Sequence, residues 1–148
     1  NIVYTQPNVT VAYNPTNLTL TITGDAEANA LNLTYAQIKT SGVVTGGKVT
    51  VTPVDAYTTI NGQFNPVTIS VGAKRINVTA DLGDGADVIT FNSFFGAVFN
   101  IKLGNGSDSA TFLYNSVQTS FTLDGGAGTD TVTLTGNSII KNTTTNVP

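Results

Sequence analysis

Three aspartates carry most of the chemistry open to this sequence. Asp87, Asp108 and Asp130 each close a glycine-rich run, "LGDGAD", "LGNGSD" and "GGAGTD", and they lie 21 and 22 residues apart. A carboxylate in such a run has two uses. It can cap the backbone of its own turn, because Gly and Asp both accept the positive φ that turns require. It can also give a hard oxygen to calcium, which takes six to eight oxygens in flexible geometry and accepts turn carbonyls beside carboxylates. Asp84 and Asp124 stand next to these turns and could each add an outer oxygen, although Asn105 replaces Asp84 one repeat later.

Other chemistry has little to work with. The chain has no His and no Cys, so the common catalytic triads and zinc sites cannot be assembled. Acid–base work would fall to Asp, the lone Glu27, Tyr or Lys, and the repeat already accounts for the aspartates as turn residues. The six basic residues are scattered and only Lys74 and Arg75 adjoin, which leaves no stripe to neutralise phosphates and argues against a nucleic-acid partner. No apolar run reaches the length of a membrane span. Absent cysteine is compatible with any compartment. The first residue, Asn1, is what a processed mature chain or an excised fragment presents. Six Asn-x-Ser/Thr sites, at Asn8, Asn17, Asn32, Asn77, Asn105 and Asn142, permit glycosylation.

The elements that hold these aspartates must be strands. Only 10% of residues are charged, while Thr and Asn number 26 and 16; amphipathic helices lack their outer face, and Thr, Val and Ile suit a pleated sheet. The apolar positions repeat with the aspartates. Leu82, Leu103 and Leu123 precede the turn, Ile89, Ala110 and Val132 follow it, then Phe91, Phe112 and Leu134. A further register pairs Asn92-Ser93 with Asn115-Ser116 and Asn137-Ser138. Upstream, Ile60, Val67 and Ile69 keep the same spacing without the glycine pattern. Leu20, Ile22, Leu31 and Leu33 match Phe121, Leu123, Val132 and Leu134.

Equivalent side chains at a fixed interval are what stacked coils require. The expected fold is all-β, a parallel β-helix or solenoid with coils of about 21–22 residues, headed by an N-terminal hairpin around "NPTN". The alternative is an antiparallel β-sandwich built from the same segments, but a meander has no reason to keep the Asn register, whereas stacked amides form ladders. Residues 1–148 read as a single β domain: 1–37 as hairpin cap and first coil, 38–57 as an irregular coil or insertion, 58–141 as regular coils, and 142–148 as a polar tail. Stacking would set Asp87, Asp108 and Asp130 about 4.8 Å apart, where neighbouring charges repel by roughly 1 kcal/mol in water and about 3.5 kcal/mol at an effective dielectric near 20. The column needs full exposure or a cation between rungs.

"GGAGTDTVT", Gly125 to Thr133, satisfies Gly-Gly-x-Gly-x-Asp-x-apolar-x, and the two upstream copies keep it except that Leu82 and Leu103 replace the first glycine. Here the chain resembles the calcium-binding nonapeptide repeats of RTX proteins. The resemblance implies Ca2+ between rungs at Asp87, Asp108 and Asp130; with one motif per coil rather than two, only one side of the stack would carry metal. The coil length is similar to that of long repetitive bacterial surface proteins. The expected function is therefore a non-catalytic extracellular or cell-surface structural and adhesive protein, a calcium-stabilised subunit that self-associates end to end through open strand edges into filaments or a layer. The N-terminal "NIVYTQPNVTVAY" could complete a neighbour's sheet. Alternatives are a carbohydrate-binding module for cell-surface glycans, with Tyr4, Tyr13, Tyr57 and Tyr114 as first suspects, a polysaccharide-degrading β-helix enzyme, and an ice-binding surface at Thr131, Thr133 and Thr135.

Overall fold

The computed structural model describes residues 4–147, and every regular element among them is a strand. In chain order these are β1 (Asn8–Asn14), β2 (Thr19–Thr23), β3 (Ala30–Thr40), β4 (Val43–Pro53), β5 (Thr59–Ile60), β6 (Val67–Val71), β7 (Ile76–Asp81) and β8 (Val88–Asn92). They continue as β9 (Phe95–Lys102), β10 (Asn105–Gly106), β11 (Ser109–Leu113), β12 (Ser116–Asp124), β13 (Ala127–Gly128), β14 (Thr131–Thr135), β15 (Ser138–Ile139) and β16 (Asn142–Thr145).

The strands stack into a two-sided β-solenoid. One sheet runs β2, β7, β9, β12 in parallel, and the facing sheet runs β3, β8, β11, β14 in parallel. A glycine turn joins the sheets on one side of the coils, and on the other side the corners after β11 and β14 carry Asn115 and Asn137. Inward-facing residues form columns. Leu20, Val78, Phe99 and Phe121 stack in one sheet; Leu33, Phe91, Phe112 and Leu134 stack in the other. The Phe91 and Phe112 rings lie 5.2 Å apart and nearly parallel, and Phe112 meets Phe121 edge-on across the core at 4.8 Å. This burial is the main stabilising term, each ring removing about 150–250 Å² from water. The spacing of 22 rather than 21 between the last two coils comes from a bulge between Val117 and Ser120.

Several expected registers shift. Leu123 stacks on Ile101 and Ala80, whereas Leu82 and Leu103 occupy the position of Gly125, inside the turn. Leu82 and Leu103 fill the turn's interior, which a sequence alignment on leucine alone cannot distinguish from the strand. Asn115 and Asn137 stack on Phe94, not on Asn92; Asn92 pairs with Leu113 on β11. The 58–141 range is not regular throughout. Val67 and Ile69 lie on β6, antiparallel to β4, and Ile60 lies on β5 beside β1. The coil directly beneath β7 and β8 is instead the much earlier β2 and β3. Residues 38–57 belong to an insertion rather than an irregular coil: β3 and β4 form a long antiparallel hairpin. The 142–148 tail contains β16, paired with β12 through Phe121↔Asn142 and Leu123↔Thr144.

The expected N-terminal hairpin is present, β1 pairing antiparallel with β2. Asn8 to Tyr13 is therefore an integral strand held on both edges, not a loose one, and Asn1 to Val3 lie outside the described residues. Arg75 ties three coils together. Its guanidinium covers the Phe95 ring at 3.6 Å and its Nη1 donates to the carbonyls of Gly96 and Ser116 at 3.1 and 2.9 Å.

Candidate functional site

At the glycine turn the backbones of successive coils touch. Asn105 and Gly106 pair in parallel with Ala127 and Gly128 as β10 and β13, and Asp84 bridges to Asn105. A Cβ on Gly104 or Gly126 would overlap the carbonyl oxygen of the residue one coil below. The glycines are thus required by close approach. Only this packing brings the aspartates into a column at strand spacing.

Asp87, Asp108 and Asp130 are brought together as expected, and each is nearly inaccessible, at 1%, 2% and 4% exposure. Each carboxylate reaches one coil down. Asp130 Oδ1 accepts the Asp108 N–H at 3.0 Å, Asp108 Oδ1 accepts the Asp87 N–H at 2.8 Å, and Asp87 Oδ1 accepts the Asn29 N–H at 2.7 Å. Asn29 is the first rung of this ladder. It was not evident in the sequence as a site residue, although it lies five residues after Gly24, as Asp87 lies five after Leu82. Its Nδ2 donates to the Glu27 carbonyl at 2.7 Å and to Asp25 Oδ1 at 3.2 Å.

The second oxygens have no such use. Oδ2 of Asp87, Asp108 and Asp130 is buried and accepts no hydrogen bond. A buried carboxylate oxygen without a donor is strongly disfavoured as an anion and demands a proton or a cation. Burial pushes the Asp87 carboxyl up, with Asp108 adding repulsion and the Asn29 N–H opposing, to about 7; burial likewise raises Asp108 against the Asp87 N–H.

Asp84 and Asp124 lie elsewhere. Asp84 is exposed, with Oδ1 accepting from Asn105 Nδ2 at 2.6 Å. Asp124 sits on the outer face of its sheet beside Lys102, and its Oδ1 accepts from Asn146 Nδ2 at 2.7 Å and from the Gly126 N–H at 3.1 Å. The Asn146 amide holds the Asp124 carboxyl below the usual carboxylate range. Neither joins the buried column.

The fit to calcium is partial in number and good in kind. Three orphan carboxylate oxygens stand in one column, and Asp130 Oδ2 lies where a Cβ on Gly125 would otherwise project. Among the described residues no three acidic side chains converge on one point. A cation would therefore be shared by consecutive rungs and completed by turn carbonyls. Those of Gly83 and Gly104 already accept the Asn105 and Ala127 N–H groups at 3.0 Å, leaving one lone pair each.

The ladder has a pH consequence without calcium. The folded Asp87 holds its proton to about pH 7, whereas the unfolded one loses it near 3.8. The folded state then binds more protons between those values, so stability falls as pH rises across that window. Urea midpoints in chelator should be higher at pH 5 than at pH 7.5. A flat or rising profile would show that the column is not protonated.

The corner forms an amide ladder at Asn115 and Asn137, without Asn92. Asn137 Oδ1 accepts both the N–H and the Nδ2 of Asn115, at 2.8 and 2.9 Å, and Asn115 Oδ1 accepts the Phe94 N–H at 2.9 Å. Tyr4, Tyr57 and Tyr114 are exposed, while Tyr13 packs against the core and the buried Tyr35 lies beside Phe94. Among the described residues no helix is long and apolar enough to cross a membrane. Comparison with protein-family profiles, with curated proteins and with solved structures gives no match.

Proposed function

We propose that this chain is a non-catalytic extracellular structural module, a β-solenoid stabilised by calcium at its aspartate column and able to self-associate through an open strand edge. The observation that carries the calcium reading is the set of three buried, unpartnered Oδ2 atoms stacked on Asp87, Asp108 and Asp130. The stack supplies one free charged oxygen per coil in a place water does not reach, and a divalent cation between rungs offsets repulsion that protons otherwise relieve. An extracellular setting suits a site with few carboxylates, because weak extracellular calcium modules work at about 10⁻⁴–10⁻³ M. The non-catalytic reading is supported by the site's own economy: every aspartate of the column is spent on holding its neighbour.

For the end-to-end assembly expected from the sequence, a partly closed edge on one sheet at the N-terminal end favours the C-terminal end. The outward N–H and C=O of Ile60, on the outermost strand of one sheet at the N-terminal end, are both closed by Gln63. Among the described residues no backbone group closes the outer edges of β14 and β16 in this way.

Thermal melts with calcium and with chelator test the metal. At a hundred times the dissociation constant, binding to the native state adds about 2.7 kcal/mol, which in a domain of this size raises Tm by roughly 5–10 °C. Magnesium should do much less, since it demands near-ideal octahedral geometry. An unmoved midpoint at millimolar calcium would remove metal from the proposal.

A further inference from the structure

The two sheets stop at different heights at the C-terminal end. One ends at β14; the other continues a strand further, as β15 and β16 on β12. The end is a step one strand high. Thr131 donates its N–H to Asp108 and Thr135 accepts from Tyr114, both within the chain. By the alternation of a parallel ladder, Val132 and Leu134 aim their N–H and C=O groups away from β11. Leu134 is 42% exposed, whereas Leu33, Phe91 and Phe112 in the same column are at 0%. Neither β14 nor β16 carries a charge, a proline or a bulge, the devices that usually blunt an edge.

We propose that this end docks a second copy of the same end, the two related by a two-fold axis along the strand direction, so that β14 of each copy pairs antiparallel with β16 of the other. That rotation exchanges the two sheets and turns one step over onto the other, each projecting β16 filling the level that the partner's β14 sheet lacks. Strands of the two sheets run in opposite directions within a coil, which makes the new pairing antiparallel. The lengths match, five residues against four. An isologous contact sets a surface against itself, and uncharged edges spare this chain, of net charge −3, from like-charge repulsion there. Head-to-tail stacking meets, on one of the two sheets, the edge that Gln63 shuts at Ile60. The inward-facing Asn142 and Thr144 of β16 make the joint less apolar than the coils below it, which suits a reversible dimer.

The inference rests on the self-association reading and fixes its geometry as a closed pair. Light scattering behind size exclusion, over a wide concentration range, tests it on the parent chain, on Leu134→Lys at the step, and on Thr68→Lys at the opposite end on β6. We expect a dimer that grows no further, weakened about tenfold or more by Leu134→Lys with an unchanged circular dichroism spectrum, and unaffected by Thr68→Lys. A ladder of species beyond two would leave self-association standing and overturn the two-fold pairing. A dimer lost in Thr68→Lys but kept in Leu134→Lys would overturn its placement. Monomers at every concentration would overturn both readings.

Discussion

Gly104→Ala should remove a large share of the fold's stability at 25 °C. Gly104 has φ +108°, a conformation that costs an L-residue about 1–3 kcal/mol. The larger cost is steric. A Cβ there would overlap the Gly83 carbonyl oxygen, which is itself fixed by the Asn105 N–H at 3.0 Å. Relief requires the coils to part at the turn, breaking the bridge between Asp84 and Asn105 and loosening the aspartate rung behind it. We expect a loss above about 4 kcal/mol, an exceptional value for one methyl group, against a total stability of roughly 5–15 kcal/mol. Gly72→Ala is the control: it meets nothing within 4 Å and lies outside the left-handed region, so it should stay within about 0.5 kcal/mol of the parent. Urea denaturation followed by circular dichroism measures both. A Gly104→Ala protein within 1 kcal/mol of the parent would mean that the coils do not approach as closely as described.

Asp108 separates the structural from the metal-binding use of the column. In Asp108→Ala the Asp87 N–H, buried and bonded at 2.8 Å, loses its acceptor, a penalty of about 1–3 kcal/mol with a small cavity added. Asp108→Asn keeps a carbonyl oxygen for that N–H and removes the anion. Asn29 already places a neutral amide at the equivalent position of the first coil, where its Oδ1 accepts no hydrogen bond. Without calcium, Asp108→Asn should match or exceed the parent at pH 7.5, because the buried carboxyl is no longer forced to choose between charge and proton. With calcium the order reverses, since the central ligand shared by both inter-rung positions is gone. Melts of the three proteins in calcium and in chelator read both effects. Equal calcium shifts in the parent and Asp108→Asn would rule out the column as the site, while Asp108→Ala as stable as the parent would rule out the ladder.

The solenoid was legible because stacking repeats its demands. Leu20, Ile22, Leu31 and Leu33 matched Phe121 to Leu134 across a hundred residues, and the structure puts those residues in the same columns. The aspartate column was legible for the same reason. What the sequence hid were positions where unlike residues do one job. Leu82 and Gly125 share a turn position because Gly125 makes room for Asp130 Oδ2; Phe94 takes the rung of Asn115 because only its N–H is needed; Asn29 stands for aspartate. Val67 and Ile69 misled in the opposite sense. Period-2 alternation says that a face is buried but nothing about direction, and β6 runs antiparallel to β4 with the same apolar spacing that a coil would show.

The order in which the coils are made differs from the order in which they can close. Asp87 meets Asp108 across 21 residues and Asp108 meets Asp130 across 22, but Asn29 meets Asp87 across 58. Closing that longer loop costs roughly 0.9 kcal/mol more in chain entropy, and its contacts are the most distant in sequence, which slows their formation. The first coil, though it leaves the ribosome earliest, has only its hairpin partners β1 and β4 to pair with until β7 and β8 exist. Stacking should therefore begin in the C-terminal coils and spread backward, with the N-terminal hairpins docking on β7 and β8 last.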